Sequence, residues 1–481
     1  MKLLTAKSLR QWGVNGRPAC RLLQGWGRCA VVFWLAHNLA SAADTNVPGW
    51  ITKPLTLAEA LKLSLLQNGA LLKAESDLEV AQGIILQTRS IAFPKVRGAA
   101  GYERTEAVEK VPFDSEGRVD PQRDQWSGGI RIVQSIYEGG RIRSALRTAR
   151  LTREQALLQY QTIVANTLLD VRTAYYDTLL AAQQIVVQEA SVKLLAEQLA
   201  NTKRRFDAGA VPRFDVLQGE VELANAQPRL IRARNAHRIA KNNLATELGY
   251  SVPINIWEDI PLTLVDKLEA EPYTIDLSTA LARAAERRPE LGVLRKEEAL
   301  RKEAIIAARA EIKPSLGIYA GYGAHNSRFS DDFARDVAGP TAGIALSWNI
   351  WDGNLTRGRV MEAAARLKGV EVDLDERNRR VALQVRTAFS GFIEAREVIE
   401  SQKKVQEQAE EALRLAASRY EAGSSTQLDL LNAQTSLTEA RTTQIQALHG
   451  YAIAVARLEH AIGLDISLEH AARDRVPDLK P

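Results

Sequence analysis

The feature that most constrains this chain is an uninterrupted run from Arg141 to Ala208. The run is 68 residues long and contains no Gly and no Pro. Its apolar residues recur at spacings of three and four, the period of a packed helical seam: Val164, Leu168, Val171, Tyr175, Leu179, Ala182 and Val186. A continuous helix of this length spans roughly 100 Å at ~1.5 Å per residue. The chain therefore forms either a coiled-coil rod or the wall of a larger elongated structure.

The first 43 residues have the composition of a secretory signal peptide. They carry six basic residues and no acidic one, an apolar segment at 30–39, and the small residues 40–43 directly before Asp44. The alternative is a disordered basic tail. Both cysteines, Cys20 and Cys29, lie inside this segment, so the exported chain has no thiol for a disulfide or a metal. Arg28, directly before Cys29, argues against a lipid-attachment cysteine.

The charge of the chain gives no support to a nucleic-acid partner. The formal net charge is +5, from 63 basic and 58 acidic residues. Removing the six cations of the leader leaves 57 basic residues against 58 acidic ones. No run of 18 apolar residues follows the leader, so the sequence predicts no transmembrane helix, and any membrane crossing must use strands.

The rest of the chain repeats one pattern twice. Pro94 returns 220 residues later as Pro314, and Val171-Arg172-Thr173-Ala174 returns unchanged 214 residues later at 385–388. The offset changes inside a polar loop, where a difference in length costs least. We divide the chain into a signal peptide, a first repeat, a linker, a second repeat and a C-terminal tail, at 1–43, 44–249, 250–274, 275–463 and 464–481.

Each repeat is predicted to form a helix, a β-hairpin, a long helix and a further helix. The first helix begins at the N-cap Thr56 and runs to about Ala92, where Pro94 ends it. Pro228 predicts a kink in the last helix of the first repeat. The hairpin, long helix and final helix fall at about 95–138, 140–208 and 213–248 in the first repeat, and at about 315–351, 354–422 and 426–462 in the second.

The predicted strands have the length and alternation of strands that cross a bilayer. Apolar residues alternate with small or polar ones; the apolar set is Trp126, Ile130, Ile132, Ile136, Ile344, Leu346, Trp348 and Ile350, and the opposite set includes Ser127, Arg131 and Ser135. An aromatic belt is expected at the strand ends, at Trp126, Tyr137, Trp348 and Trp351. The alternative is a pair of soluble hairpins packed on helix ends. Four strands cannot close a barrel, so strands in lipid require several chains to share one.

Short motifs at matching places in both repeats carry a family resemblance. They are IYEGG and IWDGN at the strand-to-helix transitions, and the turns FDAGAVPRFDVL and YEAGSSTQLDLLNAQ. With the duplicated element order, they make residues 56–465 resemble the TolC-like outer-membrane efflux proteins. The resemblance implies a homotrimer with one shared twelve-stranded transmembrane barrel in outer-membrane lipid and a long α-helical tunnel across the periplasm. It also implies a periplasmic adaptor and an inner-membrane transporter as partners, and no cofactor.

The same resemblance implies which residues act at the inner end of the tunnel. Asp429 falls on an acidic pore position, Asn432 on its partner position, and Asp215 and Tyr420 on a pair that ties the helical hairpins together in the closed state. Contact with the adaptor is implied around Gly209, Gly423, Leu217 and Leu431. The alternative for Asp215 and Asp429 is structural, because carboxylates in the first turn of a helix satisfy free N–H groups. Arg131 and Arg143 either line the barrel or lie at the membrane edge.

The sequence shows no sign of catalysis or of a metal site. The histidines after the leader have no HExxH spacing, and neither a G-x-S-x-G nor a Walker loop occurs. We therefore interpret the chain as a mainly α protein with a β-barrel part, not an enzyme, that serves as an outer-membrane exit duct for efflux or type I secretion. The alternative is a soluble periplasmic coiled-coil adaptor or a structural rod.

Overall fold

The structure is a computed structural model of the chain, and it describes residues 53–104, 124–251, 260–326 and 336–463. The predicted signal peptide, both hairpin loops and the C-terminal tail lie outside the described residues. The described parts form helices α1 to α8 at Leu57–Gln67, Gly69–Arg89, Arg141–Asp207, Arg213–Glu247, Leu277–Arg287, Pro289–Arg309, Leu355–Glu421 and Gln427–Ile462. Strands β1 to β4 lie at Lys95–Arg104, Asp124–Glu138, Ser315–Asn326 and Asp336–Ser347. Among the described helices, none has an apolar stretch that could cross a membrane.

The first helix begins as predicted but does not run unbroken to Ala92. Thr56 and Glu59 form a reciprocal capping box at its start. The helix stops at Gln67, and Asn68 takes an extended conformation with its side chain accepting from the backbone N–H of Ala70 at 2.8 Å. Asparagine competes for backbone groups and so favours a cap over a helix interior. A 3₁₀ turn, Ser90–Ala92, then leads to Pro94.

The second repeat breaks its first helix at the equivalent place. Arg288 is extended at φ −61° and ψ 116°, and Pro289 begins the next helix. Proline suits the first helical position because it has no N–H to leave unpaired. The break is therefore a common property of the two repeats, produced by Asn-Gly in one and Arg-Pro in the other.

The predicted long helix of the first repeat is continuous. Helix α3 has 67 residues, and its counterpart α7 also has 67. Each follows a residue in the left-handed region, Gly140 at φ 105° and Asn354 at φ 72°. Helix α4 continues from Arg213 to Glu247 through Pro228.

Each repeat has its own hydrophobic core where its shorter helices pack on its long helix. The pattern shared by the two repeats places Val171 and Val385 at equivalent positions, and both are fully buried. The first core joins α1, α2, α3, the end of α4 and part of the linker, while the second joins α5 to α8. Helix α6 packs against both α3 and α7, and α3 also contacts α8, so helices of the second repeat pack along the long helix of the first.

The four strands form one antiparallel sheet in the order β1-β2-β3-β4. Strands β1 and β4 are its edges within the described residues. Strand β4 ends at Ser347, short of the predicted end near 351, so Trp348 and Trp351 follow the strand instead of lying within it. The indole N–H of Trp348 donates to the Ile312 carbonyl at 3.0 Å. Trp126 and Tyr137 lie near the two ends of β2.

The sheet has one apolar and one polar face, because residues paired across an antiparallel ladder point to the same side. The apolar face carries Val96, Tyr102, Trp126, Ile130, Ile132, Ile318, Tyr322, Ile344 and Leu346. The polar face carries Lys95, Arg97, Glu103, Ser127, Arg131, Ser135, Tyr319, His325 and Thr341. The register shifts between Ser135 and Tyr137, so the predicted alternation ends before Ile136. Ile350 lies past the end of β4 and outside the sheet as well.

Candidate functional site at the helical tips

The two helical hairpins, α3–α4 and α7–α8, end in turns of the same geometry. In the first turn the N–H of Gly209 donates to the Phe206 carbonyl at 2.8 Å, and the N–H of Ala210 to the Arg205 carbonyl at 2.8 Å. The second turn repeats both bonds, from Gly423 and from the residue after it. This is the Schellman motif, which needs a left-handed residue after the helix. Gly209 at φ 73° and Gly423 at φ 72° supply it.

Asp429 closes a capping box at the start of α8. Its carboxylate accepts from the backbone N–H of Thr426 at 3.0 Å and from the Thr426 hydroxyl at 2.8 Å. These hydrogen bonds lower the pKa of Asp429, the backbone bond most, so the side chain is charged at neutral pH. Asp429 is exposed, as is Asn432 three residues later, so both lie on one open face of α8. Asp429 therefore caps the helix, as in the structural alternative, and its charge remains accessible to solvent.

A buried glutamine joins the two tips, and sequence reasoning did not identify it. Gln427 is 4% exposed, and its side-chain N–H donates to the Asp215 carbonyl at 2.9 Å across 212 residues of sequence. The helices meet closely there because position 219 is glycine. A Cβ on Gly219 would lie 3.2 Å from Leu199 Cδ1 and 3.5 Å from Gln427 Nε2. Asp215 thus contributes its backbone carbonyl to the join.

Tyr420 joins the tips through its ring. It is 5% exposed, and the Arg205 guanidinium lies 4.7 Å from the centre of its ring. Cations placed over an aromatic face are attracted by the ring quadrupole. The Tyr420 hydroxyl is buried and has no hydrogen-bond partner among the described residues, so it does not bond to Asp215. The two hairpins are joined instead by the contact of Arg205 with the Tyr420 ring and by the hydrogen bond from Gln427 to the Asp215 carbonyl.

The residues implied for adaptor contact differ in exposure. Gly209 and Gly423 are exposed at the turns, and Leu217 is 49% exposed. Leu431 is only 5% exposed, so it packs inside the tip instead of offering a surface. Phe214, at 70% exposed, and Leu428, at 53%, are further apolar side chains that the tips present to solvent. Their positions directly after each turn are the sequence signal that could have identified them.

Polar contacts continue along the seam between α3 and α8. His449 contacts Asp177 at 2.6 Å, Arg172 pairs with Glu459 at 2.7 Å, and His460 contacts Asn166. Burial lowers the pKa of His460, and the nearby Arg288 guanidinium lowers it further. These contacts connect the first repeat to the second above the tips. Among the described residues no cluster of His, Cys, Asp or Glu has the geometry of a metal site.

Solved structures share this architecture. The chain superimposes on the Campylobacter jejuni CmeC outer membrane channel with a TM-score of 0.75 at 17% identity, covering 88% of this chain and 90% of that one. It superimposes on the outer-membrane channel OprN with a TM-score of 0.72 at 22% identity, covering 85% and 89%. The fold is therefore that of outer-membrane channel proteins.

Sequence comparison gives the family. The sequence model of the family described as outer membrane efflux protein matches residues 60–250 and 280–464, which are the two repeats. The chain belongs to this family. It is 26% identical over 374 residues to the alkaline protease secretion protein AprF of Pseudomonas aeruginosa, covering 76% of this chain and 75% of AprF. It is 25% identical over 425 residues to the outer membrane protein TolC of Escherichia coli, covering 85% and 82%.

Proposed function

We propose that this protein is the outer-membrane exit duct of a tripartite efflux or type I secretion system. The observation that carries the proposal is a four-stranded sheet with one apolar and one polar face, continuous with two 67-residue helices. The sheet suits a wall between lipid and water. The helices suit a conduit roughly 100 Å long. Such a duct conducts passively and needs no catalytic group, cofactor or metal.

The duct is proposed to be a homotrimer with one shared barrel of twelve strands. A four-stranded sheet in lipid would leave the backbone groups of both edges unpaired, at several kcal/mol each. Three copies placed edge to edge pair every strand. The helices also support the trimer. Helices α4 and α7 expose large apolar side chains that a neighbouring copy would cover: Val221, Ile231, Met361, Val372 and Leu383.

The partners are proposed to be a periplasmic adaptor and an inner-membrane transporter. AprF is named for alkaline protease secretion, and CzcC of Cupriavidus metallidurans, 24% identical over 425 residues, for cobalt-zinc-cadmium resistance. The family name and these relatives support a place in the outer membrane with the helices in the periplasm, reached through the N-terminal signal peptide and without lipidation. Exposed Phe214, Leu217 and Leu428 at the tips suit contact with the adaptor, next to Gly209 and Gly423.

The gate is proposed at the tips. In a trimer, Asp429 of each copy would bring three carboxylates near the axis, with Asn432 as an uncharged second ring. A ring of carboxylates attracts cations and repels anions. The contacts of Gln427 with Asp215 and of Arg205 with Tyr420 would hold the two hairpins of each copy together in the closed state.

Single-channel recording of the purified protein in planar bilayers tests this function. Asp429→Ala is expected to lower the preference for cations and to raise the conductance, while Glu269→Ala, which removes an exposed charge from the linker, leaves both unchanged. Channels whose conductance and ion selectivity do not respond to Asp429→Ala would refute the gate. A wild-type protein that forms no channels would refute the duct itself.

A further inference from the structure

A band of exposed cations lies on the polar face of the sheet. Arg97 of β1 is directly opposite Arg131 of β2, and Lys95 is on the same face one step nearer the helical end. All three side chains are exposed. Cross-strand partners have Cβ atoms about 4.5–5.5 Å apart, and like charges in that position are destabilising. Stability therefore does not explain two arginines at this site.

Nearby acidic groups do not neutralise the band. Glu103, the acid of this face on β1, is six residues from Arg97, roughly 20 Å along the strand. At the helical end of the sheet, Glu138 pairs with Arg141 and Glu311 pairs with Arg359. Asp352 accepts from the backbone N–H of Thr356 at 2.9 Å and so caps α7. Within the described residues, Lys95, Arg97 and Arg131 form no ion pair, and all three are exposed.

The sheet is built to hold one of these cations above its surface. The Arg131 guanidinium stacks 4.2 Å from the centre of the Tyr319 ring. That ring lies across Gly343, where an added Cβ would approach its hydroxyl to 2.5 Å. Gly321, directly opposite Arg131, would bring a Cβ within 3.6 Å of the Arg131 Cβ. Because Gly321 and Gly343 have no side chains, Arg131 and Tyr319 can pack against the backbone of the sheet at these positions.

The next row of the same face is small. It consists of Ala99, Gly129, Gly323 and Gly339, paired in register across all four strands. These residues offer no charge and little bulk. Among the described residues of this face, the lysine and arginine side chains therefore lie at the end of the sheet next to the helices.

We propose that the band of Lys95, Arg97 and Arg131 forms an anion-selective ring inside the barrel, so that small anions and solutes bearing carboxylate or phosphate groups are favoured there. The inference rests on the proposed trimeric barrel, in which the apolar face of the sheet meets lipid and the polar face lines the water. Three copies would contribute three opposed arginine pairs to one ring. Rings of Arg and Lys select anions in pores. The duct would then have opposite ion selectivity at its two ends, favouring anions at the barrel and cations at the tips.

The test is the permeability ratio of chloride to potassium, obtained from the zero-current potential in a KCl gradient. It is measured in the Asp429→Ala protein, so that the tip carboxylates do not dominate. Arg97→Gln with Arg131→Gln is expected to lower the ratio about threefold at ~0.1 M salt, for charges acting across roughly 15 Å of water, and to have little effect at ~1 M. Lys73→Gln, which removes an exposed charge from α2, is the matched control.

A second variant guards against a defect in folding. Arg131→Glu places opposite charges across the strand pair, so it is expected to assemble and to lower the ratio further. A ratio that stays within experimental error of the parent in both variants, with channels of normal conductance, would overturn the anion-selective ring and leave the duct intact. Absence of channels from the wild-type protein would overturn the duct and the ring together.

Discussion

Removal of the two contacts that join the tips should open the channel. The double variant Arg205→Gln with Gln427→Ala deletes the cation over the Tyr420 ring and the hydrogen bond to the Asp215 carbonyl. A hydrogen bond contributes about 0.5–1.5 kcal/mol net. The Gln427 side-chain oxygen is buried without a partner, so its removal also relieves an unsatisfied acceptor and the loss lies near the lower value. The cation over the ring adds about 0.5–1 kcal/mol.

These terms give a loss of about 1–1.5 kcal/mol for each subunit. If three subunits open together, the loss is about 3–4.5 kcal/mol, which shifts the ratio of open to closed channels by roughly 100-fold to 2,000-fold. The assay is the open fraction of single channels at fixed voltage. Arg204→Gln, which removes the neighbouring exposed cation, should behave as wild type. An open fraction in the double variant equal to that of Arg204→Gln would refute the assignment of these contacts as the closing device.

Three further predictions concern stability. Gly249→Ala should strongly lower the melting temperature of the detergent-purified protein, because Gly249 has a φ of 82° and the new Cβ would lie 2.2 Å from the Gln67 carbonyl oxygen. Gly391→Ala, with open space around the new Cβ, should not lower it. Equal melting temperatures for the two variants would contradict the strain at Gly249. Tyr175→Phe should lower the free energy of unfolding by about 1–2 kcal/mol, measured by denaturant unfolding, because the Tyr175 hydroxyl donates to the Asp266 carboxylate of the linker at 2.8 Å. An unchanged free energy of unfolding would contradict a stabilising role for this hydrogen bond. Protection factors for hydrogen exchange in the first turn of α8, which are corrected for the intrinsic pH dependence of amide exchange, should be high at neutral pH and fall in acid. The reason is that the pKa of Asp429 is lowered from 3.8 and its capping is lost as pH falls through that lower value; pH-independent protection factors would contradict it.

The long helices and the duplication could be predicted because their signals are local. An interval of 68 residues without Gly or Pro leaves nothing to interrupt α3. The left-handed positions Gly209 and Gly423 follow from the glycine itself. The break at Asn68 was missed because apolar residues continue on both sides of it, which hides a single extended residue.

The contacts that define the tips could not be predicted from the sequence. Gln427 meets Asp215 across 212 residues, and no local pattern encodes that pairing. The burial of Leu431 and the exposure of Leu217, which occupy equivalent places in the two repeats, depend on which helix packs beside each of them. The bulge in β2 likewise ended the alternation before Ile136 without a sequence signal. Tertiary packing decided these features.

The number of chains in the purified particle tests the central claim most directly. We would measure it by light scattering of the exported chain in detergent, with the mass of the bound detergent subtracted. Three chains per particle are expected, since three four-stranded sheets close one barrel and leave no edge. A monomer or dimer that remains soluble without detergent would contradict the shared barrel, and with it the duct.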